Sequence, residues 1–265
     1  MMATTSPDRI ADPLSRSAVE ASDARFFVRL AGVCVIIAVG GFAPTYWLQV
    51  PAGTFIGTPL MHLHGLLYTG WVLLLFTQCR MIEKRSYRHH RAWGMAGIAL
   101  AAMMVAVGTA LAVRGFAEHV TIYGDASRRF LIVPLFSMVS FPLFFSIAVA
   151  NVRSNDWHRR LMFVATASLL GAALARVFFT AFAGYGPGMR PGIGAPLAVN
   201  ATLGPVLLSN LIIVAGMVHD WRTRGKPHPA WTIGLVTLVG TELLRTPISA
   251  SPAWLHFADW LLRAS

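Results

Sequence analysis

Acidic side chains are scarce in this chain: 11 Asp and Glu stand against 22 Lys and Arg in 265 residues, and only 12% of the chain is charged. So little charge cannot clothe a soluble domain of this length. Cysteine is nearly absent, and Cys34 and Cys79 both fall in apolar runs, which excludes a disulfide framework and leaves them as packing residues. A glycine loop shaped to cradle phosphate, a nucleophile elbow and an HExxH zinc helix are all missing. The first 25 residues lack the short apolar core and small-residue cleavage site of a signal peptide, and read as a flexible cytoplasmic tail. The formal charge of +11 comes without a basic stripe interleaved with aromatics, so nucleic acid is excluded as a partner.

What the chain has instead is hydrocarbon. It is 55% hydrophobic with a mean hydropathy of +0.60. Its apolar residues gather into seven runs, at residues 26–48, 60–81, 93–113, 130–152, 161–182, 203–219 and 231–248. Each is near the ~20 residues that a helix needs to cross a bilayer. The expected fold is all-α: a polytopic membrane protein of seven transmembrane helices in residues 26–250, with the tail before it and a short amphipathic interfacial helix in residues 251–265 that carries Trp254 and Trp260. The bilayer is the first partner.

The basic residues cluster in short loops between the runs. Assigning loops to alternate sides puts 15 Lys and Arg on the side of the tail and 6 on the other, with Arg176 inside the membrane. By the positive-inside rule the N-terminus is cytoplasmic and the C-terminus periplasmic, in a bacterial inner membrane. Pro134 and Pro142 are expected to kink the fourth run. The segment GYGPGMRPGIGAP at 184–196 is too irregular for a helix and long enough to cover a pocket mouth. An internal echo, Arg85-Ser86-x-x-x-His90-Arg91 and Arg153-Ser154-x-x-x-His158-Arg159, enters the third and fifth runs with one spacing and suggests two copied hairpins.

Several motifs together carry a resemblance: His62-x-His64-Gly65 followed by Trp71 and Gln78, His90-Arg91-x-x-Gly94, His158-Arg159-Arg160-Leu161-Met162, RGKPHPAW at 224–231, and LLRTPISASPAW at 243–254. In these the chain resembles a group of multi-helix bacterial inner-membrane proteins for which no reaction is established. More distantly it is similar to the haem-binding core of cytochrome b561-type bundles, where histidines on neighbouring helices clamp haem. That likeness implies haem b or another redox cofactor, with His64, His90, His158, Tyr68, Arg91 and Arg159 as the residues around it. In such bundles the ligands lie deeper than the loop edge at which His90 and His158 stand.

Helical spacing sharpens the outer half. His64, Tyr68, Trp71, Leu75 and Gln78 follow one stripe, whereas His62 is rotated roughly 200° from His64 and cannot share a metal with it on a helix. Charges in lipid face the interior and pair, and Glu242 has Arg245 or Arg176 within reach. The bland reading is an ion pair that locks two helices. The sharper one is an outward-opening pocket lined by His64, Tyr68, Arg176, Glu242, Arg245 and Asn210.

On the inner side His89, His90, His158, His219 and His228 gather near the surface, where imidazoles suit zinc, copper or haem iron, and arginine beside them suits lipid phosphate. Three functional classes remain open. One is a cofactor protein, or an accessory factor of a respiratory or other membrane complex. The second is a small-molecule carrier or sensor, and the third a structural or assembly subunit without chemistry of its own.

Overall fold

The computed structural model describes residues 13–184 and 196–264, and every element among them is helical. The tail before residue 13 and nearly all of the Gly/Pro segment lie outside the described residues. Helix α1 (Pro13–Phe42) ends in a wide π-turn at Ala43–Trp47 that contains Pro44. Helix α2 (Pro59–Glu83) starts on a proline, whose missing N–H would have had no helical partner there. It returns to α3 (Tyr87–Tyr123), which stops where Gly124 takes φ +51°. A short α4 (Asp125–Phe130) leads into α5 (Ile132–Ala150), and α6 (Asn155–Ala183) follows a tight loop.

After a 3₁₀ turn at Val199–Thr202 come α7 (Leu203–Ser209) and α8 (Leu211–Arg224), one path interrupted at Asn210. Left-handed Gly225, at φ +75°, ends α8. Helices α9 (Pro229–Ser249) and α10 (Pro252–Ala264) complete the chain.

Helix α6 is the hub and packs against α1, α5, α7, α8 and α9. Its small residues, Ala165, Ala167 and Ala173, are buried and let neighbours approach. Around it the core holds Trp71, Trp231, Phe141, Phe163 and Met104, with the Trp71 Nε1–H donating to Thr166 Oγ1 at 3.1 Å. Outward, Ile36, Leu66, Met95, Ile122, Val139 and Val236 are each more than 60% exposed. A bundle that turns such side chains outward on several helices has its apolar solvent outside as well as inside.

Six helical stretches are long and apolar enough to cross a membrane: Val19–Trp47, Pro59–Glu83, Tyr87–Tyr123, Asp125–Ala150, Asn155–Phe182 and Val199–Arg224. The seventh expected run, now α9, is 21 residues long but stands outside those six, because Glu242, Arg245 and four threonines dilute its hydropathy.

Other boundaries also move. Helix α1 begins inside the stretch read as tail, and Asp23 within it is buried. Helix α3 runs ten residues past the expected end at residue 113, helped by an Arg114–Glu118 pair at 2.8 Å. Pro134 falls in the first turn of α5, where proline costs no hydrogen bond, so only Pro142 lies inside that helix.

The two echoing stretches do matching work. Ser86 and Ser154 are the N-caps of α3 and α6, and their carbonyls accept from the His90 and His158 N–H, each at 3.0 Å.

Candidate functional site

Helix α9 turns Glu242 and Arg245, three residues apart, into the bundle, where both are more than nine-tenths buried. They do not close on each other. Asn210, at the break between α7 and α8, donates from Nδ2 to Glu242 Oε2 at 3.0 Å, and Arg245 Nη2 donates to Thr202 Oγ1 at 2.6 Å. Of the ion pairs expected for Glu242, with Arg245 or Arg176, the Arg245 one is replaced by hydrogen bonds to neutral partners, and no salt bridge joins Glu242 to Arg245 among the described residues. Arg245 Nε and Asn210 Oδ1 are buried with no hydrogen-bond partner among the described residues.

Both charged side chains line a cleft between α5, α6, α7 and α9. Ser137, Ser140, Ser168 and Thr241 supply its polar wall, and Phe136, Val206 and Leu238 its apolar one. Its space clear of side chains is only enough for a water-sized guest. Asn210 stands between α7 and α8 with a backbone still in the right-handed helical region, caps neither helix with its side chain, and reaches across to Glu242 with it instead. The hydroxyls were not singled out in the sequence, since serine and threonine inside an apolar run satisfy themselves on their own helix. Ser168 and Thr241 do so here, on Ala165 O and Leu238 O.

His64 and Tyr68 form a separate cluster. Their rings stack at 4.0 Å, and Tyr68 Oη donates to Met104 O at 3.1 Å beside Met138 Sδ at 3.3 Å. Arg176 lies 5.2 Å over the Phe42 ring, within electrostatic reach of His64. The single pocket expected from His64 to Glu242 is thus two places, and only Glu242 and Arg245 of the expected six line the cleft. His62 turns away and meets Tyr46 Oη at 2.8 Å through Nδ1.

The inner histidines disperse. His219 donates from Nε2 to Asp23 Oδ1 over 2.8 Å and stacks on Phe26, His89 meets Ser86 Oγ at 2.9 Å, and His228 caps α9 by accepting the Ala230 N–H at Nδ1 over 3.2 Å. The expected gathering of three imidazoles does not form, and no set of three or more His, Cys, Asp or Glu able to hold a metal occurs among the described residues.

His90 and His158 do meet, with ring centres 6.5 Å apart and planes at 89°. His158 Nδ1 faces the Ala148 carbonyl at 2.8 Å and must donate to it, which leaves Nε2 with its lone pair. His90 Nδ1 is buried with no partner among the described residues. With metal–nitrogen bonds near ~2 Å, two imidazoles facing one metal ion have ring centres roughly 6 Å apart, so the donor pair fits. Its expected companions do not: Arg91 is exposed, Arg159 is committed to Asp23 and Asp156, and His64 lies 14 residues of α2 from Gln78, the neighbour of His90, or roughly 21 Å at ~1.5 Å per residue.

The largest polar feature escaped the sequence reading. Arg160, wholly buried on α6, gives Nε and Nη2 to the two oxygens of Asp220 at 2.7 and 2.6 Å, and Nη1 to Asp156 Oδ1 at 2.7 Å. Arg224 bonds Asp220 at 2.9 Å and also Asp23, which Arg159 reaches at 2.9 Å. Three carboxylates and three guanidiniums thus join α1, α6 and α8, and the His228 N–H adds the start of α9 through Asp220 Oδ2 at 3.2 Å. The signal present in the sequence was Asp at i with Arg at i+4, twice, at Asp156/Arg160 and Asp220/Arg224.

Comparison of the chain with protein-family models, with characterised proteins and with solved structures gives no match.

Proposed function

We propose that this chain is a bacterial inner-membrane protein of seven spans, with α9 as the seventh and the tail in the cytoplasm, and that it binds a small polar guest in an outward-facing cleft, as a carrier or sensor. One observation carries the reading. Two opposite charges with more than nine-tenths of their surface buried line a cleft and leave each other unpaired, holding instead to Asn210 and Thr202. Charge inside lipid costs about 2.5–3.5 kcal/mol even on the insertion scale, and a direct pair within α9 would recover most of that. Neutral partners keep both groups in place while leaving their charge available to something else.

Water access tests this. Ser137→Cys and Thr241→Cys in membranes should react with a small charged thiol reagent added from the outer side, with lipid-facing Leu243→Cys as the unreactive control. Silence at both cleft positions, with full reaction after unfolding, overturns the reading.

A redox cofactor at the opposite mouth is favoured by a different observation, the 6.5 Å approach of His90 and His158 with an imidazole nitrogen open on each. These two residues would hold a haem iron, which would supply one-electron chemistry, and attachment to a respiratory complex would follow from it. Protein purified in mild detergent should then have a Soret band that His158→Ala abolishes. A spectrum without that band ends this second reading.

A further inference from the structure

The cleft has a built-in charge balance that determines what can enter it. Arg245 contributes one positive charge and Glu242 one negative, and the walls from α5, α6 and α7 add hydroxyls and apolar side chains with no titratable group among them. Arg245 is the charged group that acts on Glu242; on α6, Arg176 acts on His64 instead, and near the end of α9 Arg128 of α4 is paired with Asp259 of α10 at 2.7 Å. A cation would meet the guanidinium. A small oxyanion would meet a buried Nε–H with no partner among the described residues and, across the cleft, the Ser137 and Ser140 hydroxyls. Such a guest leaves the cleft with one uncompensated negative charge, which lipid surroundings penalise heavily. Glu242 is the group that can cancel it by taking a proton, and Asn210 Nδ2 can donate to the neutral carboxyl as well as to the carboxylate.

Building on the reading of the cleft as a binding site, we propose that it takes a small monovalent oxyanion on Arg245 together with one proton on Glu242, so that anion and proton enter and leave as a neutral pair. The narrow space excludes all but the smallest oxyanions, and formate, the smallest carboxylate, enters only as the side chains around the water-sized gap move apart. One proton bound per anion requires apparent affinity to rise about tenfold for each unit of falling pH while the empty cleft holds Glu242 ionised.

Formate is the probe. Calorimetric titration of the full-length protein in detergent, repeated in two buffers of different protonation enthalpy, counts protons taken up. At a pH well above the titration of the Glu242 carboxyl, the expected result is one per formate, with the tenfold pH dependence. Glu242→Gln should still bind formate but take up no proton and lose the pH dependence, whereas Arg245→Gln should lose binding. If Arg245→Gln fails to fold, Glu242→Gln alone decides. Formate binding without proton uptake overturns the proposal, and so does uptake that survives Glu242→Gln, which would mean the proton rides on the guest. No formate binding in a protein whose cleft cysteines react with the thiol reagent overturns this inference and spares the cleft. No binding with unreactive cysteines removes both.

Discussion

Arg160 has no exposed surface, and both oxygens of Asp220 hold its guanidinium in a bidentate grip. Replacing Arg160 leaves the buried Asp220 carboxylate with only Arg224 and the His228 N–H, a loss bounded by the about 3–5 kcal/mol of a fully broken buried pair, while removing both partners with apolar or neutral groups of similar size is often harmless. Arg160→Met should therefore lower the thermal midpoint in detergent sharply, and Arg160→Met with Asp220→Asn should recover much of the loss. Equal losses in the single and double variants would mean the pair is not the source. His228 gives the same region a pH dependence. Burial first, and the positive charge of Arg160 next, hold its proton affinity below that of an ordinary histidine. Its Nδ1 must also stay unprotonated to cap α9. The folded form binds this proton less well than the unfolded chain does, so the contribution is complete above the ordinary histidine value of about 6.5 and is lost as pH falls below it. His228→Asn, which keeps a capping acceptor, should flatten the decline in thermal midpoint between about pH 7.5 and 5. At this scale the sequence was only partly legible. The inward turn of Glu242 and Arg245 follows from the cost of charge in lipid, yet Asp23 looked like tail because its partners lie 136 and 201 residues away.

Helices pack here through glycine as much as through large side chains. A Cβ on Gly216 would run into the indole of Trp231, and one on Gly234 into Val164, so α8, α9 and α6 touch almost backbone to side chain. Gly240, on the same α9, has nothing within 4 Å of where a Cβ would stand. The two positions therefore predict opposite signs. Gly216→Ala should destabilise by about 1–3 kcal/mol through overpacking. Gly240→Ala should be neutral or stabilise by up to about 1 kcal/mol through helix propensity. Unfolding in detergent followed by circular dichroism reads both, and a stable Gly216→Ala would contradict the close approach. Of the seven apolar runs expected from the sequence, six reappear as helices long and apolar enough to cross a membrane, because length and hydropathy are properties of sequence alone. The break at Asn210 was not, since a single amide in a hydrophobic run fits a helix as well as an interruption, and its partner Glu242 decides between them from 32 residues away. Helix α3 ran past its expected end because Arg114 and Glu118, read as loop polarity, are an i,i+4 pair on a continuing helix.

Seven spans or six is a question about the whole molecule, and α9 decides it. Its hydropathy is diluted by Glu242 and Arg245, but both are buried, so the surface that it offers outward is more apolar than its composition. Ile233, Val236, Leu243 and Leu244 are each more than half exposed and extend over most of its length, as a lipid-facing stripe requires. With 21 residues the helix is about 31 Å long at ~1.5 Å per residue, enough for the hydrocarbon core. Beyond it α10 is fixed to the far end of the bundle: Asp259 meets Arg128, and the Trp254 indole donates to Arg128 O at 2.8 Å. Arg128 sits just before α5, at the end of that helix opposite the Arg160 cluster, and on the seven-span proposal α9 carries the chain between those two ends, from His228 to Trp254. On the proposed topology the tail side carries 15 Lys and Arg, which the positive-inside rule would put in the cytoplasm. A fluorescent reporter that matures only in the cytoplasm should therefore be bright when fused ahead of α1 and dark after α10, and a reporter active only in the periplasm should give the reverse. Moving the second junction into the loop at Gly225–Pro227 should reverse its signal, because α9 has then not been crossed. Like signals at the start and end of the chain would leave α9 short of a span and place Glu242 and Arg245 outside the membrane, where their charges need no guest at all.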